Sequence, residues 1–365
     1  MKPIVLAPGP TKVHPEMAQW LQDAADEGAV WQSHRSPWFL ELFADVKARL
    51  KSLLSIPDTH SILFMTSSNE AWERAMQCLT TTETFHTVGG EFAMRWHQYA
   101  GWLGRNAVEW KYSHEFDGNF GEIEVPDTAE AICITNNETS IGLWTPEEQI
   151  HQLARRYPDK MFMVDVVSSM PHCQLDWSLV DVAMWSVQKG FHSVAGLSVV
   201  VVSERALERA RELEKTQSIG TFHAFPRVAE YAAQNMTAET PNVLGVYLLN
   251  KAVKKYQQIG LDTLRKGVRD RAAAFYAALE DTSFGCMVTE PQYRSPTLFA
   301  VNSGSLNAND LRAKWAKELN MWTGACYGPL KDHNFRVANF PMHTSEEHEA
   351  MLNAIREASR VAVGR

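Results

Sequence analysis

The sequence predicts an α/β fold built around a mainly parallel sheet with helices on both faces. Through the first two-thirds of the chain, short apolar segments alternate with longer segments in which apolar residues recur at helical spacing. The apolar segments are continuous and do not alternate with polar residues, which is typical of strands buried on both faces. Repeated strand–helix units of this kind predict a parallel sheet flanked by helices.

The first part of this pattern contains two strand–helix units. Residues 61–65 are a predicted strand, and residues 70–79 are the helix after it. The second strand, 131–135, leads through a polar segment into another helix. We place the start of that helix at Thr145 as the N-cap, with Pro146 in the first helical position, where the missing N–H of proline has no helical partner to lose.

Three more strands are predicted at residues 161–165, 181–186 and 196–202. The first of them ends in an acidic residue, and the second ends just before a Gln-Lys pair. Ser203 then caps a charged helix over residues 204–215, because a serine hydroxyl can accept a hydrogen bond from the first turn.

Beyond about residue 255 the pattern changes to helices set against a few short strands, which predicts a smaller α+β domain. We place a large domain at residues 15–254 and the smaller C-terminal domain at residues 255–365 together with residues 1–14. The elements predicted in the smaller domain are a helix at 261–279, strands at 286–289 and 297–301, a helix at 308–319, a strand at 335–338 and a helix at 345–361.

Composition and charge argue against several classes of protein. The 365 residues carry a formal net charge of −8 without a concentrated basic face, which argues against a nucleic-acid partner. No apolar segment reaches membrane-spanning length, and prolines interrupt the short apolar stretch at the N-terminus, so we expect neither a membrane span nor a signal peptide. The five cysteines have no metal-like spacing, which predicts reduced thiols in a cytoplasmic protein without a metal site.

In open α/β sheets, ligands bind beyond the carboxyl ends of the strands. The residues that follow the predicted strands are the hydroxyl-rich segment 66–69, Thr139, Asp165 and the pair Gln188-Lys189. Small hydroxyl residues at a helix start, together with an acid and an amine, predict a ligand whose phosphate lies at a helix N-terminus. No glycine-rich dinucleotide or nucleoside-triphosphate motif is present, which disfavours the alternative of a cofactor-free nucleotide-binding protein.

A strand-end acid, a Ser-Ser pair and, about twenty residues later, a Gln-Lys pair before a buried strand stand together between residues 164 and 202. This region resembles the cofactor region of the class V aminotransferases, which have the fold type I pyridoxal-phosphate architecture. Further motifs occur in the family's order along nearly the whole chain. Segment 7–11 resembles the alanine–glyoxylate branch, segments 33–36, 137–139 and 240–241 resemble phosphoserine aminotransferases, and segment 335–337 resembles the strand with the family's carboxylate-binding arginine.

The resemblance implies a pyridoxal 5'-phosphate enzyme that moves an amino group between an amino acid and a 2-oxo acid. Lys189 would form the Schiff base with the cofactor and then move a proton at the substrate Cα. Asp165 would pair with the pyridine nitrogen and keep it protonated. Arg336 would bind the substrate α-carboxylate through two parallel hydrogen bonds. Phe92 would stack on the cofactor ring, where the family often has tryptophan.

The resemblance also implies further contacts to the cofactor. The residues concerned are Ser67, Ser68, Asn69, Thr139, Gln188 and Thr240. The first three would form the phosphate cup at a helix start, although the glycine that the family usually has there is missing. Gln188 would also contact the phosphate, and Thr139 the phenolic side of the ring. Thr240 would reach the phosphate from the other subunit, which implies a homodimer with shared active sites.

The substrate stays open between two branches of the family. His34-Arg35 matches the pair that contacts the substrate phosphate in the phosphoserine branch, which we favour. The N-terminal segment 7–11 and the segment around Phe92 instead resemble the branch that transfers the amino group of alanine or serine to glyoxylate or pyruvate.

Two more distant alternatives share the fold. A cysteine desulfurase is disfavoured because Phe92 stands where those enzymes place a histidine, and because nothing marks Cys326 as an activated thiol. A catalytically silent binding protein is disfavoured because Lys189, Asp165 and Arg336 are all intact.

Overall fold

The computed structural model describes residues 2–363, with side chains up to residue 360. Within these residues the chain forms fourteen strands and eleven helices. The strands are β1 (Ile4–Leu6), β2 (His60–Met65), β3 (Glu83–Val88), β4 (Asn106–Lys111), β5 (Ala131–Thr135), β6 (Asn137–Glu138), β7 (Leu143–Trp144), β8 (Met161–Asp165), β9 (Val182–Ser186), β10 (Ser198–Ser203), β11 (Gly285–Cys286), β12 (Leu298–Asn302), β13 (Met321–Ala325) and β14 (Asn334–Ala338). The helices are α1 (Met17–Asp26), α2 (Pro37–Leu54), α3 (Ser68–Leu79), α4 (Glu91–Trp102), α5 (Glu147–Arg156), α6 (Glu204–Glu214), α7 (Phe225–Ala233), α8 (Val243–Ile259), α9 (Leu261–Leu279), α10 (Ala308–Leu319) and α11 (Ser345–Val363).

Seven strands form the large sheet, in the spatial order β2-β10-β9-β8-β5-β3-β4. The neighbouring pairs from β9 to β4 are parallel, whereas β10 runs antiparallel to both β2 and β9. The expected mainly parallel sheet is therefore confirmed. Strands β5, β8 and β9 are buried along their whole length, which explains why their sequences are continuously apolar rather than alternating.

A second sheet of five strands, in the order β1-β13-β14-β12-β11, joins the two ends of the chain. Strand β1 runs parallel to β13, so an N-terminal strand lies among strands from the C-terminal third. This pairing agrees with the predicted grouping of residues 1–14 with the C-terminal region, whereas the domain boundaries themselves stay a prediction. Helix α9 contributes to both cores, with Leu264 in the core of the large sheet and Phe275 in the core of the second.

Most predicted elements form within two residues of the predicted bounds, except that β11 already ends at Cys286. Ser203 caps α6 as predicted, because its hydroxyl accepts a hydrogen bond from Ala206 N at 3.0 Å. The predicted start of α5 is wrong. Pro146 occupies the N-cap position. Thr145 instead continues the β6–β7 hairpin, where its N–H donates to Asn136 O and its hydroxyl donates to a carbonyl at the end of β5.

Strands β3 and β4 were not predicted, because their sequences are too polar to stand out. In β3 the side chains of Thr84, His86 and Thr87 are all buried. Thr84 Oγ1 and His86 Nε2 lie 2.9 Å apart and hydrogen-bond to each other, which satisfies both groups inside the sheet. Within residues 2–363, no helix is long and apolar enough to cross a membrane.

The large sheet brings the carboxyl ends of six strands to one edge. Strands β3 and β4 run parallel to β5, β8 and β9, and β2 runs the same way because β10 is antiparallel to both of its neighbours. Helix α3 begins only three residues after the end of β2, so its first turn lies at the same edge. This is the position where ligands bind in open α/β sheets.

Candidate active site

A cavity of about 260 Å³ lies at this edge of the large sheet. Eight of the twelve predicted site residues line it, and they come from the end of β8, from the loops after β2, β6 and β9, and from the starts of α3 and α4. These eight residues are Ser67, Ser68, Asn69, Phe92, Thr139, Asp165, Gln188 and Lys189. The fold therefore brings together residues that are up to 122 positions apart in the sequence (Ser67 to Lys189).

Lys189 lies in the loop after β9, and its amine contacts the N-terminal segment. Nζ donates a hydrogen bond to Pro8 O at 3.2 Å. Glycine at position 9 permits this approach, because a Cβ added there would lie 2.8 Å from Nζ. Burial lowers the pKa of Lys189 to about 8, and the positive charge of Arg336 acts in the same direction. More of the amine is therefore neutral near pH 8 than for an ordinary lysine, as a proton acceptor requires.

Asp165 is the last residue of β8, and its carboxylate is buried beside the cavity. Val167 N donates to Oδ1 at 2.7 Å, and Trp72 Nε1 donates to Oδ2 at 3.0 Å. Burial raises the pKa of Asp165 to about 7, although the hydrogen bond from Val167 N and the charge of Lys189 act to lower it. A cationic partner, such as a protonated pyridine nitrogen, would strongly stabilise the ionised form of this buried carboxylate.

The first turn of α3 offers its backbone, rather than its side chains, to an anion. The Ser67 hydroxyl caps the helix by accepting a hydrogen bond from within the first turn at 3.2 Å. The Ser68 hydroxyl bonds to two serine hydroxyls on β9 and β10, and the Asn69 amide donates to a tyrosine hydroxyl on α4. Because all three side chains already have partners in the protein, the free N–H groups of the helix start are left for a phosphate.

The hairpin of β6 and β7 fixes the start of α4, which carries Phe92. Gly90 is the N-cap of α4 and has no side chain that could cap it. Instead, Glu138 Oε2 and Ser140 Oγ each accept a hydrogen bond from a first-turn N–H of α4, both at 2.9 Å. This capping from outside the helix holds the ring of Phe92 with its centroid 5.7 Å from Lys189 Nζ.

Arg336 lies on β14, next to the cavity but outside its wall. Its Nε donates to Ala325 O at 2.7 Å, and its Nη1 donates to Thr139 O at 3.2 Å. The guanidinium carbon lies 4.8 Å from the ring centroid of Tyr327, which does line the cavity. The guanidinium is thus held between the second sheet and the β6–β7 hairpin, and its binding of a substrate carboxylate stays a prediction.

Thr240, His34 and Arg35 do not line this cavity. Thr240 is exposed and borders a separate surface cavity of about 400 Å³ together with Glu239. His34 and Arg35 lie in the turn before α2, where His34 is half-buried and Arg35 is exposed. Burial and Arg35 lower the pKa of His34, whereas the charge of nearby Glu239 raises it. These predicted ligand contacts therefore lie on a surface apart from the cavity of their own chain.

His223 connects this surface segment to α3. Its Nδ1 pairs with Glu70 on α3, and its Nε2 lies 3.1 Å from Glu239 Oε2. Burial disfavours a charged ring, but the two carboxylates outweigh burial and raise the pKa of His223 to about 9. Because the pKa is raised, these ion pairs contribute fully to stability below about pH 6.5 and are lost as the pH rises through about 9. At neutral pH they hold the segment that carries Thr240.

The sequence predicted no role for Trp72, Tyr327 or Glu138. Trp72 and Tyr327 line the cavity, and the buried Glu138 caps α4. Glu138 lies in segment 137–139, which carries part of the family resemblance, but its capping role exists only once the β6–β7 hairpin packs against α4. Trp72 reads as an ordinary apolar position of an amphipathic helix, so nothing in the sequence indicates that its indole N–H points at Asp165.

Cys326 lies near the cavity but is not activated. It is buried, and burial raises the pKa of its thiol to about 11. A thiol in this state is rarely ionised at neutral pH, which agrees with the expectation that the chain is no cysteine desulfurase.

A sequence model of the family Aminotransferase class-V matches residues 7–324. The chain belongs to this family. The predicted family and enzyme class are therefore confirmed, and so is the cofactor, because class V aminotransferases use pyridoxal phosphate. The chain is a pyridoxal-phosphate-dependent aminotransferase.

The most informative relatives belong to both branches considered above. The phosphoserine aminotransferase of Corynebacterium glutamicum is 24% identical over 359 residues, which covers 95% of this chain and 92% of that protein. A phosphoserine aminotransferase structure from Cytophaga hutchinsonii has a TM-score of 0.93 at 35% identity, covering 97% of this chain and 98% of that one. An alanine–glyoxylate aminotransferase structure from Nostoc has a TM-score of 0.83 at 21% identity, covering 98% of this chain and 95% of that one. These structures confirm the fold type I architecture.

The residues around the cavity fit pyridoxal phosphate. Gln188 Oε1 is buried without a hydrogen-bond partner in the described part of the chain, and a donor group on a ligand in the cavity would satisfy it. The start of α3 offers N–H groups to a phosphate, Asp165 offers a carboxylate to the ring nitrogen, and Lys189 offers an amine to the aldehyde.

Gly9→Ala should lower turnover by roughly 10- to 100-fold without unfolding the protein, because the new methyl group displaces the Lys189 amine from its contact with Pro8. Steady-state kinetics and thermal unfolding would measure the two effects. Gly101→Ala is the matched control, since a Cβ added at this position of α4 meets no atom within 4 Å. Equal turnover in both variants would show that the approach of residue 9 to the lysine is unimportant.

Proposed function

We propose that this aminotransferase takes its amino group from phosphoserine, passes it to a 2-oxo acid, and works as a homodimer with shared active sites. The observation that carries the proposal is the 35% identity to the Cytophaga hutchinsonii phosphoserine aminotransferase over 97% of the chain. The His34-Arg35 pair supports it, because a cationic pair suits a substrate phosphate.

Each residue of the cavity has a distinct part in this reaction. Pyridoxal phosphate supplies an aldehyde that takes up the amino group and a ring that accepts electrons from the substrate Cα. Lys189, with its lowered pKa, holds the cofactor and moves the proton at Cα. Asp165 keeps the ring nitrogen protonated, and Phe92 covers the ring. Arg336 binds the α-carboxylate that every amino-acid substrate has.

The distribution of charge supports a site completed by a second subunit. Among the described residues that line the cavity, Lys189 is the only one with a cationic side chain at neutral pH, and no arginine or histidine is present. A substrate phosphate needs further cations, and His34 and Arg35 lie on a surface outside the cavity of their own chain. They can serve a site only if that surface faces another subunit.

Exposed apolar side chains support the same interface. Trp31 is 73% exposed and lies three residues before His34, and Phe222 is 53% exposed beside His223. Large apolar groups in such positions are typical of surfaces that a partner covers. We therefore assign the surface of His34, Arg35, Phe222 and Thr240 to the dimer interface.

A second candidate donor is alanine or serine, with glyoxylate or pyruvate as acceptor. The observation in its favour is that segment 7–11, which resembles the alanine–glyoxylate branch, lies directly against Lys189 through Pro8 and Gly9. For the cell compartment we propose the cytoplasm, which the five free cysteine thiols support.

Borohydride reduction of the cofactor-loaded protein should attach pyridoxal phosphate covalently to Lys189, the only lysine among the described residues that line the cavity. Peptide mass spectrometry would locate the adduct. Lys189→Ala should fold, take up no covalent cofactor and lose transamination. Lys47→Ala is the control, because Lys47 is also partly buried but lies outside the cavity. An adduct on a different lysine would refute the assignment.

Mixing two impaired variants should restore activity if the sites are shared. Lys189→Ala removes the amine from its own cavity, whereas Thr240→Ala removes a contact that we assign to the partner's cofactor. A mixed dimer would then contain one intact site, so unfolding and refolding the two variants together should give more activity than the sum of both alone. Lack of any gain, although mass spectrometry detects mixed dimers, would show that Thr240 does not complete the partner's site.

The effects of substituting Arg336 and Arg35 should depend differently on the amino donor. Arg336→Ala should weaken the binding of every donor, because each donor loses a charged partner for its carboxylate, at a cost of about 2–3 kcal/mol. Arg35→Ala should weaken the binding of phosphoserine by a similar amount and leave the binding of alanine and serine unchanged. Arg211→Ala, at an exposed ion pair on α6, serves as the control. A wild-type enzyme that does not react with phosphoserine would favour the alanine or serine donor instead.

A further inference from the structure

Trp72 makes a contact with Asp165 that the family resemblance does not assign. Its indole Nε1 donates to Asp165 Oδ2 at 3.0 Å, from the second turn of α3. The other carboxylate oxygen, Oδ1, accepts from Val167 N at 2.7 Å. Each oxygen of this buried carboxylate therefore has one N–H donor from the protein, and each retains acceptor capacity for a ligand in the cavity.

The indole of Trp72 is held rigidly by aromatic neighbours. It stacks on Trp96 of α4 with ring centroids 5.9 Å apart and an angle of 14° between the planes, and Tyr99 packs edge-on against it at 6.0 Å. Trp72 is only 2% exposed. A donor fixed in this way can orient an acceptor, because little of its freedom remains to be lost when the hydrogen bond forms.

Two other charged groups act on Asp165. Glu138, on the β6–β7 hairpin, raises the pKa of the carboxyl by repulsion, and Lys189, after β9, lowers it. Burial, the largest effect, also raises the pKa and brings it to about 7. The ionised carboxylate therefore depends on its hydrogen-bond donors, because hydrogen bonds to the charged form favour that form.

We propose that Trp72 is a positioning residue that orients the Asp165 carboxylate towards the cavity and stabilises its charged form, and so extends cofactor binding to lower pH. The proposal rests on the proposed role of Asp165 as the partner of the protonated ring nitrogen. Trp72 itself needs no contact with the reacting atoms, since it acts through Asp165.

The test is the affinity of the full-length, cofactor-free chain for pyridoxal phosphate between pH 5 and 9, followed by the absorbance of the bound cofactor. Trp72→Phe removes the N–H and keeps an aromatic ring. We expect the dissociation constant at pH 7 to rise about tenfold and the acid limb of the pH profile to move to higher pH. Asp165→Asn, which lacks the titrating carboxyl, should keep only the pH dependence that comes from Lys189, and Trp72→Phe should then cause no further movement of the limb.

Trp177→Phe is the matched control. Trp177 is buried, and its Nε1 donates to Leu54 O at the same distance of 3.0 Å, but it lies outside the cavity. Its substitution should therefore leave the acid limb in place. A Trp72→Phe variant whose affinity falls equally at all pH values, with no movement of the limb, would overturn the proposal and leave Trp72 a packing role.

A measurement on the unsubstituted chain covers the case in which Trp72→Phe does not fold. In a ¹H–¹⁵N NMR spectrum of the cofactor-free protein, one indole N–H signal should shift with pH at the midpoint of the acid limb, and Asp165→Asn should abolish this shift. Absence of a titrating indole would also overturn the proposal. Failure of the proposed function would look different, because the unsubstituted chain would then bind no pyridoxal phosphate at any pH.

Discussion

The burial of a lysine and an aspartate beside one small cavity is the constraint on which the rest of the structure depends. Burial lowers the pKa of Lys189 to about 8 and raises the pKa of Asp165 to about 7, so both groups titrate near neutral pH. Neither group is tolerated there without partners, because an unpaired buried charge is strongly unfavourable. Pro8 O, Val167 N and Trp72 Nε1 supply these partners from three different parts of the chain.

The β6–β7 hairpin joins the two sheets around this pair. Its Glu138 is a buried carboxylate whose hydrogen-bond donors are N–H and O–H groups of α4 and of the hairpin itself, and burial raises its pKa. The same hairpin presents Thr139 O to Arg336 on the second sheet. One short element thereby fixes both the ring of Phe92 and the guanidinium of Arg336, so the position of these two groups relative to each other depends on how the two sheets pack.

The division of the site between the cavity and a distant surface segment has a physical reason. The cavity holds the groups proposed for the cofactor ring and the reacting atoms. His34 and Arg35, proposed for a substrate phosphate, and Thr240, proposed for the partner's cofactor phosphate, lie on a surface apart from this cavity. Arginines in the cavity would repel Lys189 and lower its pKa further. The position of His34 and Arg35 on a surface apart from the cavity keeps these side chains away from the lysine of the same chain.

The sequence by itself determined the strands of the large sheet with continuous apolar runs, the class of the fold, and eight residues that meet in the cavity. It could do so because strand burial and strand-end residues are local patterns, and because the family resemblance added Phe92. The polar strands β3 and β4 were not predicted. In β3, for example, the polar groups of Thr84 and His86 hydrogen-bond to each other only once the strand lies inside the sheet. Tertiary structure alone decided the capping of α4 by Glu138, the indole of Trp72 on Asp165, and the separation of Thr240 from its own cavity. These depend on distances between segments far apart in the chain, which no local pattern encodes.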